Sequence, residues 1–204
     1  IMNSLTPIAS LAASAPALLA AGEQEDLQAA LATLARRAAH LQGFVERYRR
    51  VSQPPPPTLA DTPLLPLLEA VQALVAPAWA QAGGKVELRV EPATLALRTD
   101  AAQLEQVLIN LAQNALQACA GRPAPQLTLE ARLGRGARLR LTVADNGPGV
   151  PPGLESQIFT PFFSTRAGGS GVGLAVVRQL VHGLGGTVRH ARRPGGGACF
   201  VLTF

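Results

Sequence analysis

Between Gln24 and Val51 the apolar residues fall at Leu27, Leu31, Leu34, Ala38, Leu41, Val45 and Tyr48, at alternating spacings of four and three. That spacing is a heptad seam, an apolar stripe along one side of a helix. Arg36, Arg37, Glu46, Arg47, Arg49 and Arg50 occupy the other faces, as a solvated side does. Just upstream, Ile1, Leu5, Ile8, Leu11, Ala12 and Leu18 offer a second apolar face, with the turn at Gly22-Glu23. The pattern predicts a helical hairpin. Such a hairpin buries its seam best against a copy of itself in a four-helix bundle, so a homodimer is expected, although an amphipathic helix packed on its own domain has the same periodicity.

The run Gln53-Pro54-Pro55-Pro56-Pro57 cannot continue a helix, because proline has no N–H to donate, and it reads as a semi-rigid spacer. The expected division is a hairpin over residues 1–53, a Pro-rich linker over 54–63 and a larger domain over 64–204. In the larger domain the pattern predicts helices at about Leu64–Gln81, Ala101–Ala120 and Gly173–Leu184. Period-two strands are predicted at Val86-Leu88-Val90, Leu127–Leu133, Leu139–Val143 and Ala198–Phe204, with Gly134-Arg135-Gly136 as a tight connection. Mixed in this order, they predict an α+β sandwich with its helices on one face.

Composition removes several other classes. With 48% hydrophobic and 15% charged residues in 204, the chain is not disordered and has material for a substantial core. The net charge of +5 and the pI near 10.5 invite a nucleic-acid reading, but only one of the 18 basic residues is lysine (Lys85). The arginines are scattered and lack interleaved aromatic residues, so no nucleic-acid surface is expected. Cys119 and Cys199 are too few for a disulfide framework and read as reduced core residues, which fits a cytosolic location. The weakly polar stretch from Ile8 to Gly22 falls short of the ~20 apolar residues that cross a bilayer, so no membrane contact by this segment is expected.

Four features carry candidate chemistry. Gln106, Asn110 and Asn114 recur every four residues and so line one face of their helix. Amide oxygens suit a hard cation such as Mg²⁺ that keeps waters and bridges phosphates; a solvent-facing polar stripe has the same spacing. Asp145-Asn146-Gly147-Pro148-Gly149 follows a strand in which Leu139, Leu141 and Val143 share a face with Asp145. That places the carboxylate on the buried side, where it needs a donor such as a purine's exocyclic amine, although Asp-Asn-Gly is also ordinary turn chemistry. Gly168-Gly169-Ser170-Gly171-Val172-Gly173 feeds a helix N-terminus, which can receive phosphate or be a plain flexible connection. Ile158 to Arg166 carries three of the six Phe residues and suits either a lid or core packing.

Taken in this order, the four features resemble the boxes of sensor histidine kinases. Asn110 and Asn114 resemble the N box, Asp145-x-Gly147-x-Gly149 the G1 box, Phe159 to Phe163 the F box and Gly169-x-Gly171-x-Gly173 the G2 box. Gly195-Gly196-Gly197 resembles a closing glycine motif, and the hairpin resembles the dimerisation and histidine-phosphotransfer module. The implied fold is that hairpin followed by an α/β sandwich of the Bergerat (GHKL ATPase) type. The resemblance implies ATP bound with Asp145 on the adenine amine, and Mg²⁺ held by Asn114 and Asn110, with Gln106 on the same catalytic face. Phe159, Phe162, Phe163, Thr165, Arg166, Gly147, Gly149, Gly169, Gly171, Gly173 and Leu174 would surround the nucleotide. It also implies transfer of the γ-phosphoryl group to a histidine and then to an aspartate of a response-regulator receiver domain. Asn3 sits where kinases with phosphatase activity carry a water-positioning amide, which brings regulator dephosphorylation into view.

Ile1-Met2-Asn3-Ser4-Leu5-Thr6-Pro7 resembles the latter part of an H box, which puts the acceptor histidine immediately before Ile1. His40, His182 and His190 do not match its position and read as surface or packing histidines. Two other readings stay open: an ATPase clamp akin to gyrase or mismatch-repair proteins, which usually carry Glu where Asn110 stands, and a non-catalytic nucleotide-binding dimerisation module. The sequence is silent on the input signal and on whether the parent protein is membrane-anchored. The chain as written is expected to bind Mg-ATP without labelling itself. Incubation with γ-labelled ATP checks this, and acid-labile label on the chain would contradict it.

Overall fold

The computed structural model describes residues 2–52, 55–165, 169, 171–193 and 195–204, and omits the side chains of residues 2–9, 11, 17, 37, 40–52 and 135. Two compact units divide the chain, Ile1–Gln53 and Pro54–Phe204.

The first unit is a helical hairpin. α1 (Met2–Ala21) and α2 (Gln24–Ser52) pack on one another across a turn in which Gly22 adopts φ +75°, and Glu23 N–H donates to the Leu18 carbonyl at 3.1 Å. A left-handed residue at a helix end satisfies orphan carbonyls, and glycine takes that conformation without strain. Leu19 and Leu31 remain 69% and 51% exposed, so one hairpin alone does not cover all of its apolar positions.

The second unit holds β1 (Ala60–Pro63), α3 (Leu64–Gln81), β2 (Lys85–Glu91), β3 (Ala96–Thr99), α4 (Ala101–Ala118), β4 (Gln126–Leu133), β5 (Leu139–Asp145), α5 (Gly173–Gly183), β6 (Thr187–Arg192) and β7 (Ala198–Thr203). The main sheet has five strands in the order β2-β4-β5-β7-β6, and β1 pairs with β3 in a separate two-stranded sheet. β2 and β4 run parallel, with α4 in the crossover between them; the other pairs are antiparallel. The hydrophobic pattern predicts neither this parallel pair nor β1, β3 or the largely polar β6. Parallel strands need a crossover that pattern alone does not reveal, and four-residue strands are too short for a period.

Alternation along the strands divides the sheet into two faces. Leu127, Leu129 and Ala131 of β4, Leu141 and Val143 of β5, and Phe200 and Leu202 of β7 are buried under the helices. α3 contributes Leu68, Val71 and Trp79, α4 contributes Leu104, Leu108 and Leu111, and α5 contributes Val177 and Val181. Burying each such side chain stabilises the fold by roughly 1.5–3 kcal/mol. α3 has the length and apolar composition of a membrane span, but six of its residues, Leu64 and Trp79 among them, are buried, so its apolarity is that of a core helix. The opposite face of the sheet is polar at β2 and β4, where Lys85 and Arg89 pair with Glu87, and Arg132 with Glu130 at 2.7 Å.

Asp100 starts α4 and ties it to the segment before β1. Its carboxylate accepts from the Gln103 amide at 3.0 Å and from the Thr58 amide at 2.9 Å. Those amides, Thr58 first, hold its carboxyl below the ordinary aspartate value. A group with a depressed folded value stabilises the fold above its unfolded pKa, and that contribution is lost as pH falls through the folded value. Asp100→Ala is therefore expected to cost about 1 kcal/mol in urea unfolding at pH 7. The difference from the parent chain should shrink below about pH 4, near the ordinary aspartate pKa.

Candidate functional site

The site is built on the polar face of α4. Gln106 is exposed, Asn110 and Asn114 are half-buried, and the adjacent Leu104, Leu108 and Leu111 are in the core. Gln106 Nε2 donates to Asn110 Oδ1 at 3.4 Å, so the three amides run as one stripe along the helix. The first residue of α5, Gly173, lies against this stripe: a Cβ there would stand 3.3 Å from Asn114 Nδ2. The start of the helix after the glycine loop and the Asn face of α4 thus come together.

Asp145 is the last residue of β5 and only 2% exposed. A buried charge survives only with compensating polar contacts. Its Oδ1 accepts two backbone N–H groups, from Gly147 at 2.8 Å and from Ala198 at 3.1 Å. Its carbonyl accepts from Arg193 Nη1 at 2.6 Å. Next to it, Asn146 Oδ1 accepts from the Gln126 amide at 2.8 Å, and its Nδ2 donates to the Ala124 carbonyl at 3.0 Å. Asn146 therefore pins the start of β4 to the end of β5. Cys119 Sγ lies 3.7 Å from the same Asn146 oxygen, behind the loop.

Three glycines are required by close approach. A Cβ at Gly147 would stand 2.9 Å from Asp145 Oδ1, and one at Gly149 would stand 2.9 Å from the Gly197 carbonyl oxygen. A Cβ at Gly197 would collide with the Asp145 carbonyl oxygen, and Gly197 also adopts φ +93°. The loop after β5 and the hairpin before β7 are stacked backbone on backbone at Gly149 and Gly197, which side chains at those two positions would prevent.

The phenylalanines part company. Phe159 is 7% exposed and meets Phe200 edge-on, with ring centroids 6.2 Å apart, so it belongs to the core. Phe162 is 39% exposed at φ +68°, a conformation that is strained for a bulky side chain. Its amide donates to the Gly171 carbonyl at 2.8 Å, and a Cβ at Gly171 would lie 2.5 Å from the Phe162 carbonyl carbon. The Phe segment and the glycine loop are thereby joined through their backbones. Phe163 is half-buried, Thr165 and Gly169 are exposed, and Leu174 packs on the edge of the core. Val172, which precedes α5, has no side chain that caps it, and the first turn carries no acidic residue.

Arg166 lies outside the described residues, and Asn3 lies in α1 with its side chain outside them. His182 is exposed; His190 is half-buried edge-on to Phe200 at 5.9 Å, and burial pulls its pKa below the ordinary histidine value. Neither cysteine forms a disulfide. Cys119 is buried, whereas Cys199 is only partly so, on the face of the sheet away from the helices.

Residues 99–204 match the profile of the histidine kinase-, DNA gyrase B- and HSP90-like ATPases. The chain belongs to this family. Its second unit resembles the catalytic domains of sensor histidine kinases. The chain is 34% identical over 148 residues to the C4-dicarboxylate transport sensor protein DctS of Rhodobacter capsulatus, an alignment covering 72% of this chain and 22% of DctS. It is 40% identical over 114 residues to the sensory histidine kinase/phosphatase NtrB of Salmonella typhimurium, covering 52% of this chain and 32% of NtrB. The chain thus spans less than a third of the length of these relatives. Full-length ShkA, solved in complex with AMPPNP, superposes with a TM-score of 0.71 at 29% identity, covering 87% of this chain and 38% of ShkA.

Sequence reasoning missed four contributors to this site: Arg193, the Ala198 amide, the Asn146 side chain and Cys119. The only signal for the hairpin's part is the Gly195-Gly196-Gly197 run, whose φ values are +89°, +90° and +93°. Gly197→Ala is expected to lose about 2 kcal/mol or more in urea unfolding, since left-handed strain of about 1–3 kcal/mol adds to a backbone collision. Gly195→Ala, which meets nothing within 4 Å, should lose only the strain, about 1 kcal/mol. Equal losses at the two positions would contradict the backbone stack.

Proposed function

We propose that the Pro54–Phe204 unit binds ATP, with Asp145 accepting from the adenine amine, the amide stripe on the phosphate side and the start of α5 facing the phosphates. The observation that carries this reading is the Asp145 carboxylate, buried yet held in one orientation by the Gly147 and Ala198 amides. A buried acceptor fixed in this way suits an amine donor and rejects a carbonyl oxygen in the same place. The α5 N-terminus, with no acidic residue in its first turn and Gly173 against Asn114, suits an anion. Asn110 and Asn114 offer amide oxygens of the hard type that suits Mg²⁺, and fit it as ligands. Bound there, Mg²⁺ would neutralise charge on the phosphates.

The unit then serves as the kinase half of a two-component sensor, passing the γ-phosphoryl group to a histidine and, through it, to a response-regulator aspartate. Gln106, Asn110 and Asn114 present the catalytic amides, and Phe162, Phe163, Thr165, Arg166, Gly169 and Gly171 form the cover over the nucleotide. Relatives that are sensor kinases support this role, and the label kinase/phosphatase on NtrB supports a second, dephosphorylating activity that would draw on Asn3. The hairpin of residues 1–53 serves as the dimerisation and phosphotransfer module, and exposed Leu19 and Leu31 supply apolar surface for a second copy. The reading places this segment in the cytoplasm.

Asp145→Asn is expected to weaken ATP binding about 10- to 100-fold, the worth of a hydrogen bond to a charged group. Asn114→Ala should remove most of the gain in affinity on adding Mg²⁺ while leaving metal-free ATP binding nearly intact. Titration calorimetry with and without Mg²⁺ reads both, and wild-type affinity in Asp145→Asn would end the proposal.

A further inference from the structure

We infer that Arg193 is a positioning residue that sets adenine selectivity through Asp145, an inference that rests on the nucleotide reading above. The β5–β7 register ends at Ala144↔Cys199, one residue short of Asp145. At that point Arg193 Nη1 supplies a donor to the Asp145 carbonyl at 2.6 Å, across 48 residues of sequence. The same hairpin, five residues on, gives the Ala198 amide to Asp145 Oδ1 at 3.1 Å. One connection therefore grips Asp145 by both its main chain and its carboxylate.

The grip matters because the peptide after Asp145 carries the rest of the arrangement. Asn146, whose amide donates to the Gln126 carbonyl at 3.2 Å, and Gly147, whose amide donates to Asp145 Oδ1, both follow that carbonyl. Without Arg193 that peptide plane is held only through its Asn146 N–H on the Gln126 carbonyl, and a plane held at one end tilts and shifts the Gly147 N–H relative to the carboxylate. The carboxylate then loses one of the donors that fix its direction, and an acceptor of variable direction discriminates poorly between an amine and an oxygen. Arg193 reaches backbone, so it acts through Asp145. Its neighbour Arg192 points elsewhere, 3.8 Å from Glu155 and 85% exposed, and serves as the control. Lysine keeps the charge but not the planar fork of the guanidinium, so it should restore the grip only in part.

The test is titration of the 204-residue chain with ATP and with ITP, which carries a 6-oxo group in place of the 6-amino group. Arg193→Ala should weaken ATP binding about five- to tenfold, less than outright loss of a charge-assisted hydrogen bond because the effect is relayed through Asp145, and change ITP binding less than about twofold. Arg193→Lys should give an intermediate ATP-to-ITP ratio, and Arg192→Ala the parent ratio. With Asp145→Asn already present, Arg193→Ala should add nothing further, because a residue acting through another is non-additive with it. Should Arg193→Ala fail to fold, Arg193→Lys alone carries the test by its ratio. A parent ratio in Arg193→Lys and Arg193→Ala, equal losses for both nucleotides, or additivity with Asp145→Asn overturns this inference alone. A parent chain that does not distinguish ATP from ITP overturns the nucleotide reading and this inference with it.

Discussion

A carboxylate taken out of water at the end of a core strand must be resolvated by the protein, and most of this site follows from that requirement. Side chains rich in rotamers would solvate Asp145 loosely; backbone N–H groups do it with fixed direction. Two such groups, from Gly147 and Ala198, reach the same oxygen. Neither could do so unless the chain passed within backbone contact of Asp145 twice, once directly after β5 and once just before β7. The glycines at 149 and 197 are the consequence, since each stands where a Cβ would meet the other segment, while a Cβ at Gly147 would press on the Asp145 carboxylate itself.

The second half of the site depends on a different contact. α4 and α5 pack on the same face of the sheet, and where α5 begins a glycine, Gly173, lies against the amide of Asn114. A side chain at Gly173 would press on the amide stripe, its Cβ 3.3 Å from Asn114 Nδ2. The connection leading into α5 is in turn joined to the Phe segment through the Phe162–Gly171 backbone bond. A rigid floor of strand, helix and stacked backbone therefore carries a cover made of loop. That division suits the nucleotide reading proposed above, in which a base is held in one orientation while the phosphate end meets its partner.

The repetitive parts of this arrangement were legible in the sequence. The stripe of Gln106, Asn110 and Asn114 survives because helical period alone places residues four apart on one side. The burial of Asp145 survives because Leu139, Leu141 and Val143 fix the phase of its strand. Less was legible wherever one residue type serves two ends. Phe159 and Phe162 stand three apart in one aromatic cluster, yet the first fills the core against Phe200 and the second stands at the surface. β1 and β3 carry no period of their own and exist because each supplies the other's hydrogen bonds.

By itself, the sequence determined the hairpin periodicity, the break at the proline run, the helix and strand phases, and the order of amide, carboxylate, aromatic and glycine features. All of these are local, and local spacing is what steric preference and burial act upon. Only the tertiary structure decided that β2 and β4 run parallel, that Gly197 lies on the Asp145 carbonyl, and that Arg193 and Ala198 serve a residue some fifty positions earlier. Those contacts join segments whose separation along the chain has no period. They form because the sheet order puts β7 beside β5, and nothing in the spacing of residues within either strand specifies that neighbour.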